Sequence, residues 1–256
     1  MSQKIETRLF VHADLAEGGS VGLEKDQSHY LKNVLRLGAG ARVALFNGRD
    51  GEWVAEIEGI GKGWTSLSLI DRSRPQREEP DIWLAFAPIK RARIDFIAQK
   101  ATELGASLLW PVLTERTMVD RVKTDRLLAN AIEAAEQTAR LSVPEIREPA
   151  RLDALLDAWP EERPLIVCDE TGGGNPIAHV LSEPPFKGGT LCGLLIGPEG
   201  GFADRELDRL RQSSFVTPVS LGPRLLRADT AALAALACWQ AVAGDWTMKR
   251  PEGLDP

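Results

Sequence analysis

Leu194–Phe202, LLIGPEGGF, is the stretch whose reading decides the fold. With Cys192 just before them, Leu194, Leu195 and Ile196 make a short apolar run of the kind that forms a buried strand. The run breaks at Gly197-Pro198, because proline has no amide hydrogen and a fixed φ. Glycines at 197, 200 and 201 let the backbone take left-handed turns and approach a ligand without side-chain obstruction. Asp204-Arg205-Glu206-Leu207 follows, with Asp204 as the expected helix N-cap and acidic residues suited to a first turn. A strand, a glycine loop and a helix in succession are how an open α/β sheet builds a pocket beyond the carboxyl ends of its strands. A tight turn without a ligand would read the same way on this motif alone.

A second stretch, Ser220–Ala235 (SLGPRLLRADTAALAA), repeats the pattern. A strand end meets a Gly222-Pro223 break, then Arg224 and Arg227, then an Ala/Leu-rich helix expected over Ala228–Ala243. Asp229 or Thr230 is placed to cap that helix, and Leu233, Leu236 and Ala237 give it an apolar stripe. Two such units in succession are consistent with consecutive αβ units of one sheet, with their loops side by side on one edge.

These two stretches together resemble the cofactor-binding signature of the SPOUT superfamily of RNA methyltransferases. More narrowly, the chain is similar to the 16S ribosomal RNA uridine-N3 methyltransferase family (RsmE). HYLKNVLRL at His29–Leu37, QKATELGAS at Gln99–Ser107 and AAEQTAR at Ala134–Arg140 carry the likeness across nearly the whole chain in the family's order. Where that family usually has Arg-Thr-Glu-Thr-Ala, this chain has Arg227-Ala228-Asp229-Thr230-Ala231, which shortens the carboxylate's reach by one methylene. The resemblance implies a PUA-like RNA-binding domain over residues 1–74, a linker at 75–80, and a SPOUT α/β domain with a trefoil knot over 81–256. It also implies S-adenosylmethionine as cofactor, 16S ribosomal RNA within the assembled small subunit as partner, and a homodimer.

Bulk composition is compatible with that reading. The chain has 256 residues, 43% of them hydrophobic, and a formal charge of −6, which excludes a protein that coats nucleic acid indiscriminately. Charge is uneven, with ten Lys/Arg against ten Asp/Glu in residues 1–74 and the whole deficit beyond them. An acidic average therefore leaves room for a local basic face. No apolar run reaches the ~18 residues of a membrane span, and MSQKIETRLF lacks a secretory h-region. Cys168, Cys192 and Cys238 are scattered among apolar residues and read as buried thiols of a reducing, cytoplasmic compartment. Three unclustered histidines give no metal site.

In chain order, residues 5–12 read as a strand presenting Arg8, and Asp26–Leu37 as a helix with Lys32 and Arg36 four apart. Period-two patterning from Ala41 predicts three strands of a small β-rich unit. Arg72–Pro80 reads as linker. Then come a strand at Ile82–Ala87, a helix at Ile89–Leu104 closed by Gly105, a strand at Ser107–Leu113, helices at Thr124–Leu141 and Leu152–Trp159, and a strand at Pro164–Cys168. Asp169–Lys187 is expected to be a loop holding one helical turn at Ile177–Leu181. Strands alternating with helices predict a mostly parallel sheet covered on both sides.

Ile196, Gly197, Pro198, Gly200, Gly201, Leu221, Gly222, Arg224, Leu225 and Leu226 are the expected cofactor contacts, matching the family's signature positions. For Leu225 and Leu226 simple core packing stands as the alternative. Methylating an imide nitrogen calls for a base, or for donors that stabilise charge on the flanking carbonyl oxygens. Arg227 and Arg224 are the donor candidates. Glu199 and Asp229 are the nearby carboxylates, with loop bonding and helix capping as their alternative uses. Arg8, His29, Lys32, Arg36, Lys90, Gln137 and Arg140 are the expected RNA contacts. A non-catalytic RNA-binding or ribosome-assembly protein retaining the SPOUT fold is the competing function.

Overall fold

A computed structural model describes residues 4–119, 121–168, 173–188 and 191–248. These fall into two compact units, one holding residues up to Glu78 together with Ala135–Val143, the other holding Glu79–Ala134 and the chain from Pro144 onward.

In the first unit, strands β1 (Ile5–Phe10), β2 (Ser20–Leu23), β3 (Arg42–Phe46), β4 (Glu52–Ile60) and β5 (Thr65–Arg74) form one sheet in the order β1-β3-β4-β5-β2. Strand β1 runs parallel to β3, and the remaining pairs are antiparallel. The period-two pattern places Val43, Leu45, Ala55, Ile57, Leu67 and Leu69 in one core with Leu31. Strand β2 has no counterpart in the sequence reading, because four residues are too few to display a period. The helix expected over Asp26–Leu37 is α1 (Lys25–His29) continued by a π-helical turn at Tyr30–Val34. It stops before Arg36, which takes a φ of 57°. Strand β5 continues through Arg72 and Arg74, which the sequence assigns to the linker.

That extension has a cause. Glu52 accepts hydrogen bonds from Arg74 (Nε 3.0 Å, Nη2 2.7 Å), from the Ser73 hydroxyl (3.0 Å) and from Arg8 Nε (2.7 Å). The two guanidiniums then reach backbone carbonyls at the carboxyl end of the helix Thr124–Gln137 and just beyond. Arg8 donates to the carbonyls of Ala135 (2.8 Å), Glu136 (3.0 Å) and Arg140 (2.8 Å), and Arg74 to that of Ala139 (2.9 Å). Carbonyls in the last turn have no intrahelical partner, so cations are favoured there. Ala139 takes a left-handed φ of 59°, and the helix ends at Gln137 instead of the expected Leu141. Phe46, Ala135 and Leu141 add a small apolar cluster.

In the second unit, strands β6 (Asp81–Phe86), β7 (Leu108–Leu113), β8 (Glu145–Ile146), β9 (Ala150–Arg151), β10 (Leu165–Cys168), β11 (Asn175–Pro176), β12 (Leu191–Ile196) and β13 (Val216–Ser220) build a sheet in the order β11-β13-β10-β12-β6-β7-β8, with β9 pairing β7. Every ladder is parallel. Helices α2 (Arg91–Glu103), α3 (Thr124–Gln137, up to Ala134), α4 (Leu152–Asp157), α5 (Ile177–Leu181), α6 (Asp204–Gln212) and α7 (Ala228–Val242) complete it. Alternation within β6 sends Ile82, Leu84 and Phe86 into a core shared with α2 and α7, while Ala85 joins the opposite core with Leu155 and Leu210. Both faces are covered, as continuous apolar strands require. Gly105 closes α2 with a φ of 87°, and Gln240 of α7 donates to the Leu104 carbonyl (2.8 Å). Of the loop expected at Asp169–Lys187, residues 169–172 lie outside the described residues. The remainder carries β11 and the expected helical turn, α5.

Burial pushes the Glu52 carboxyl up, but hydrogen bonds from Arg74 and Arg8, reinforced by their charges, outweigh it and hold the group below the usual carboxylate range. A depressed carboxyl contributes stability that is present above its unfolded value, about 4.3, and lost as pH falls through the folded value. Glu52→Gln, which leaves two half-buried guanidiniums uncompensated, should destabilise the fold by about 3 kcal/mol at neutral pH. Denaturant melts between pH 3 and 7 should also show that the variant has lost part of the acid-side dependence seen in the parent.

Candidate functional site

Strand β10 lies between β12 and β13, so the loops leaving β12 and β13 flank its last residue, Cys168. They enclose a cleft of about 710 Å³. Its walls are Cys168, Ile196, Gly197, Pro198, Glu199, Val219, Ser220, the loop Leu221–Arg227, and Ala228 and Ala231 of the first turns of α7. That size falls within the range of pockets that take small ligands.

Eight of the ten residues expected to touch a cofactor line this cleft: Ile196, Gly197, Pro198, Leu221, Gly222, Arg224, Leu225 and Leu226. Gly200 and Gly201 do not. Gly201, at a φ of 71°, closes a turn by donating its amide to the Pro198 carbonyl (2.9 Å), and Gly200 offers its carbonyl to Arg116 (2.8 Å). Gly197 is required for packing, since a Cβ there would stand 2.8 Å from the Phe202 ring. Gly222 is the opposite case. It takes a φ of 101°, and a Cβ built on it would meet nothing within 4 Å, so the space above it is open to a ligand. Leu225 lines the cleft and is 85% exposed, whereas Leu226 packs against the core.

Cys168 supplies an apolar wall. Burial pushes its thiol up to about 12, with the neighbouring Cys238 adding to the shift, so it carries no thiolate at neutral pH. Glu199, Arg224 and Arg227 are exposed, and none of the three is ion-paired among the described residues. Asp229 is placed differently. It does not line the cleft; its Oδ2 faces Arg93 Nε of α2 at 3.7 Å and its Oδ1 accepts the Thr230 amide at 3.0 Å. Neither expected cap is the observed one. Ala203 and Arg227 occupy the N-cap positions of α6 and α7, one residue before Asp204 and two before Asp229.

Glu206 does the capping that Asp204 was placed for. Buried, it accepts the Ala203 amide on Oε2 and, on Oε1, the amide of Glu115 from the loop after β7, both at 2.9 Å. Glu115 pairs in turn with Arg205, and Arg116 bonds the Gly200 carbonyl. Two loops from separate strands are thus fastened together beside the cleft. An N3 glutamate is a recognisable capping signal; Arg116 and Arg93 have no local signature, and their partners lie far away in sequence.

Of the expected RNA contacts, His29, Lys32, Arg36 and Gln137 are exposed in the first unit, and Lys90 is exposed at the N-cap of α2 in the second. Arg140 is half-buried and its Nε donates to the Ser142 hydroxyl (3.1 Å). Arg8 is committed inward, 16% exposed and bonded to Glu52 and three carbonyls.

A parallel α/β unit with twin loops at its carboxyl edge, joined to a small β unit, defines a class that the sequence matches directly. Residues 77–240 fit the family described as an RNA methyltransferase domain, and residues 23–63 fit the RNA methyltransferase PUA domain. The chain is 33% identical to ribosomal RNA small subunit methyltransferase E of Rickettsia conorii, covering 90% of this chain and 93% of that one. The Bacillus subtilis protein of the same name is 30% identical over 87% of this chain and 90% of its own. Its fold is similar to that of ribosomal RNA small subunit methyltransferase E from Neisseria gonorrhoeae bound to S-adenosyl methionine, at TM-score 0.82 and 28% identity over 94% and 99% of the two chains. The chain belongs to the ribosomal RNA small subunit methyltransferase E family.

Glu206→Gln leaves one of two backbone amides without its acceptor, which should lower stability by about 1–3 kcal/mol. The glycine loop should loosen as well, read as faster amide hydrogen exchange at Gly200–Ala203. Asp208→Asn, at an exposed position on the same helix, should leave both readouts unchanged.

Proposed function

We propose that this chain transfers a methyl group from S-adenosylmethionine to N3 of a uridine in 16S ribosomal RNA. The observation that carries this is the cleft itself, apolar-walled and open above Gly222, with two exposed arginines on its wall that are unpaired among the described residues. Residues 1–74 hold the RNA, 75–80 link, and 81–256 perform the transfer. The fit to the cofactor is chemical: backbone groups of Gly197 and Leu221–Gly222 suit an adenine edge, and Ile196, Val219 and Leu226 give its faces apolar walls.

S-adenosylmethionine supplies an activated methyl on a sulfonium, so the protein's work is to orient, to exclude water and to activate the acceptor. Uridine N3 becomes strongly nucleophilic only as its proton leaves. Arg227 and Arg224 stabilise the negative charge that then spreads over O2 and O4. Glu199, the carboxylate on the cleft wall, takes the proton, and Asp229 with Arg93 holds the start of α7 against α2. His29, Lys32 and Arg36, with Gln137, Arg140 and Lys90, contact the RNA backbone; Arg8 is left out because its donors are spent inside the fold.

We also infer that the carboxyl-terminal half is a trefoil knot and that the first unit's sheet closes into a PUA-like barrel. Strand β12 inserted between β10 and β6, with β13 on the far side of β10 and α7 packing back on α2 and β12, supports the knot. The half-exposed Leu233, Ala234 and Ala237 on α7 support a homodimer, since Ala228, Ala231, Ala232 and Ala235 of the same helix are already buried within the chain.

Calorimetry with S-adenosylmethionine and mass mapping of 16S RNA from cells lacking the protein test the function together. Absence of cofactor binding would favour a purely RNA-binding role. Gly222→Val fills the open space at a left-handed backbone position and should abolish cofactor binding in a folded protein. Arg227→Ala should lower kcat by about 10²-fold with cofactor affinity unchanged; an equal loss in affinity would place Arg227 in cofactor binding instead.

A further inference from the structure

The hairpin joining β4 to β5 carries an indole held in one orientation. Its turn is Lys62-Gly63, with Gly63 at a φ of 79° and the Gly61 amide donating to the Trp64 carbonyl at 2.9 Å. Gly59 and Gly61 fall on the same face of the strand and leave a slot without side chains. The Trp64 indole lies in it. A Cβ on Gly61 would stand 1.9 Å from Nε1, and one on Gly59 would stand 3.0 Å from the far edge of the six-membered ring. Both rings therefore rest on backbone, while 53% of the residue remains exposed. A large aromatic residue fixed on one side and open on the other is a surface for stacking, not a core residue.

Two lysines lie close to it. Lys62 is exposed in the turn itself, and the stem of Lys25, the first residue of α1, comes within 3.5 Å of where a Gly63 Cβ would lie. Neither lysine is ion-paired among the described residues. The carboxylate nearest to the hairpin in sequence, Glu58, accepts the Ser66 hydroxyl at 3.2 Å, and the exposed Glu24 and Asp26 flank Lys25 in sequence without pairing with it. Lys25 is followed by His29 four residues later and then by Lys32, so hydrogen-bonding and cationic side chains for an RNA backbone recur along α1 and its π-helical extension.

We propose that Trp64 is a stacking platform for an unpaired base of the RNA substrate, with Lys25 and Lys62 holding the phosphates on either side of that nucleotide. Aromatic faces take unstacked bases of single-stranded loops, and flanking lysines hold the backbone without reading sequence. The inference rests on the RNA-directed function above and names a contact that the cleft does not supply.

The test uses the full chain and a 16S ribosomal RNA transcript, both free and assembled into the small subunit. Trp64→Ala should weaken RNA binding roughly tenfold, the loss of one base–aromatic stack, and raise KM for RNA with kcat and S-adenosylmethionine affinity unchanged. Trp64→Phe should keep most of the affinity. Lys25→Ala with Lys62→Ala should flatten the salt dependence by about 1.4 in the log–log slope, the value for two contacts to a single strand. A transcript carrying 4-thiouridine should photo-crosslink to Trp64, identified by peptide mass. Wild-type binding and methylation together with an unaffected Trp64→Ala, or crosslinks only elsewhere, would overturn the platform and leave the enzymatic reading intact. Failure of the wild-type protein to bind both the transcript and the small subunit assembled on it would overturn both.

Discussion

Parallel pairing is the constraint from which the second unit's chemistry follows. When every strand runs the same way, all carboxyl ends emerge on one edge, and connections must return through helices on the faces. The loops after β6, β7, β12 and β13 therefore share that edge whatever their sequences. Placing β10 between β12 and β13 adds a gap one strand wide, and the cleft occupies it. Apolar runs such as Leu194–Ile196 meet the other half of the requirement, because both faces of the sheet are covered.

Pairing brings the loops to one edge, but polar contacts decide their shape. The candidates differ in weight. Arg205–Glu115 is an exposed pair, and such pairs contribute between nothing and about 1 kcal/mol. Glu206 is buried and satisfies two amides from separate loops, each of which would cost about 1–3 kcal/mol if left unmade. The carboxylate of Glu206, not the more numerous surface charges, therefore holds the glycine loop to its neighbour. Asp229 shows the same economy at the other loop. Its contact with Arg93 explains how a side chain shorter by one methylene still has a partner, since the longer guanidinium covers the distance.

Much of this architecture is legible in the sequence because it is written in periods. The β3–β4–β5 strands, the longer strands and the helices from β6 onward, and both glycine loops follow from apolar spacing and from Gly and Pro breaks, whereas the two-residue strands β8, β9 and β11 are too short to show a period. Features set by distant partners are not legible. Arg8 reads as a surface cation, and only its distance to Glu52 and to the carbonyls of Ala135, Glu136 and Arg140 shows otherwise. The helix expected to reach Leu141 stops early because those carbonyls find arginines, a fact with no local trace. In the site, Gly197 and Gly222 look alike on paper, yet one is dictated by the Phe202 ring and the other borders open space. Cys168 enters the cleft through strand order, which no local pattern encodes.

The membership of Ala135–Val143 in the first unit bears on how the polypeptide is made. A nascent chain emerges from its amino terminus, and a domain contiguous in sequence can finish folding while the rest is still being synthesised. Here the five strands are complete by Arg74, but Arg8 and Arg74 lack their carbonyl partners until residue 140 has been released. At about 5–20 residues per second that wait lasts several seconds. Through it, a cluster of two cations and one anion must stay hydrated, so the amino-terminal unit reaches its final form only after much of its neighbour has been synthesised.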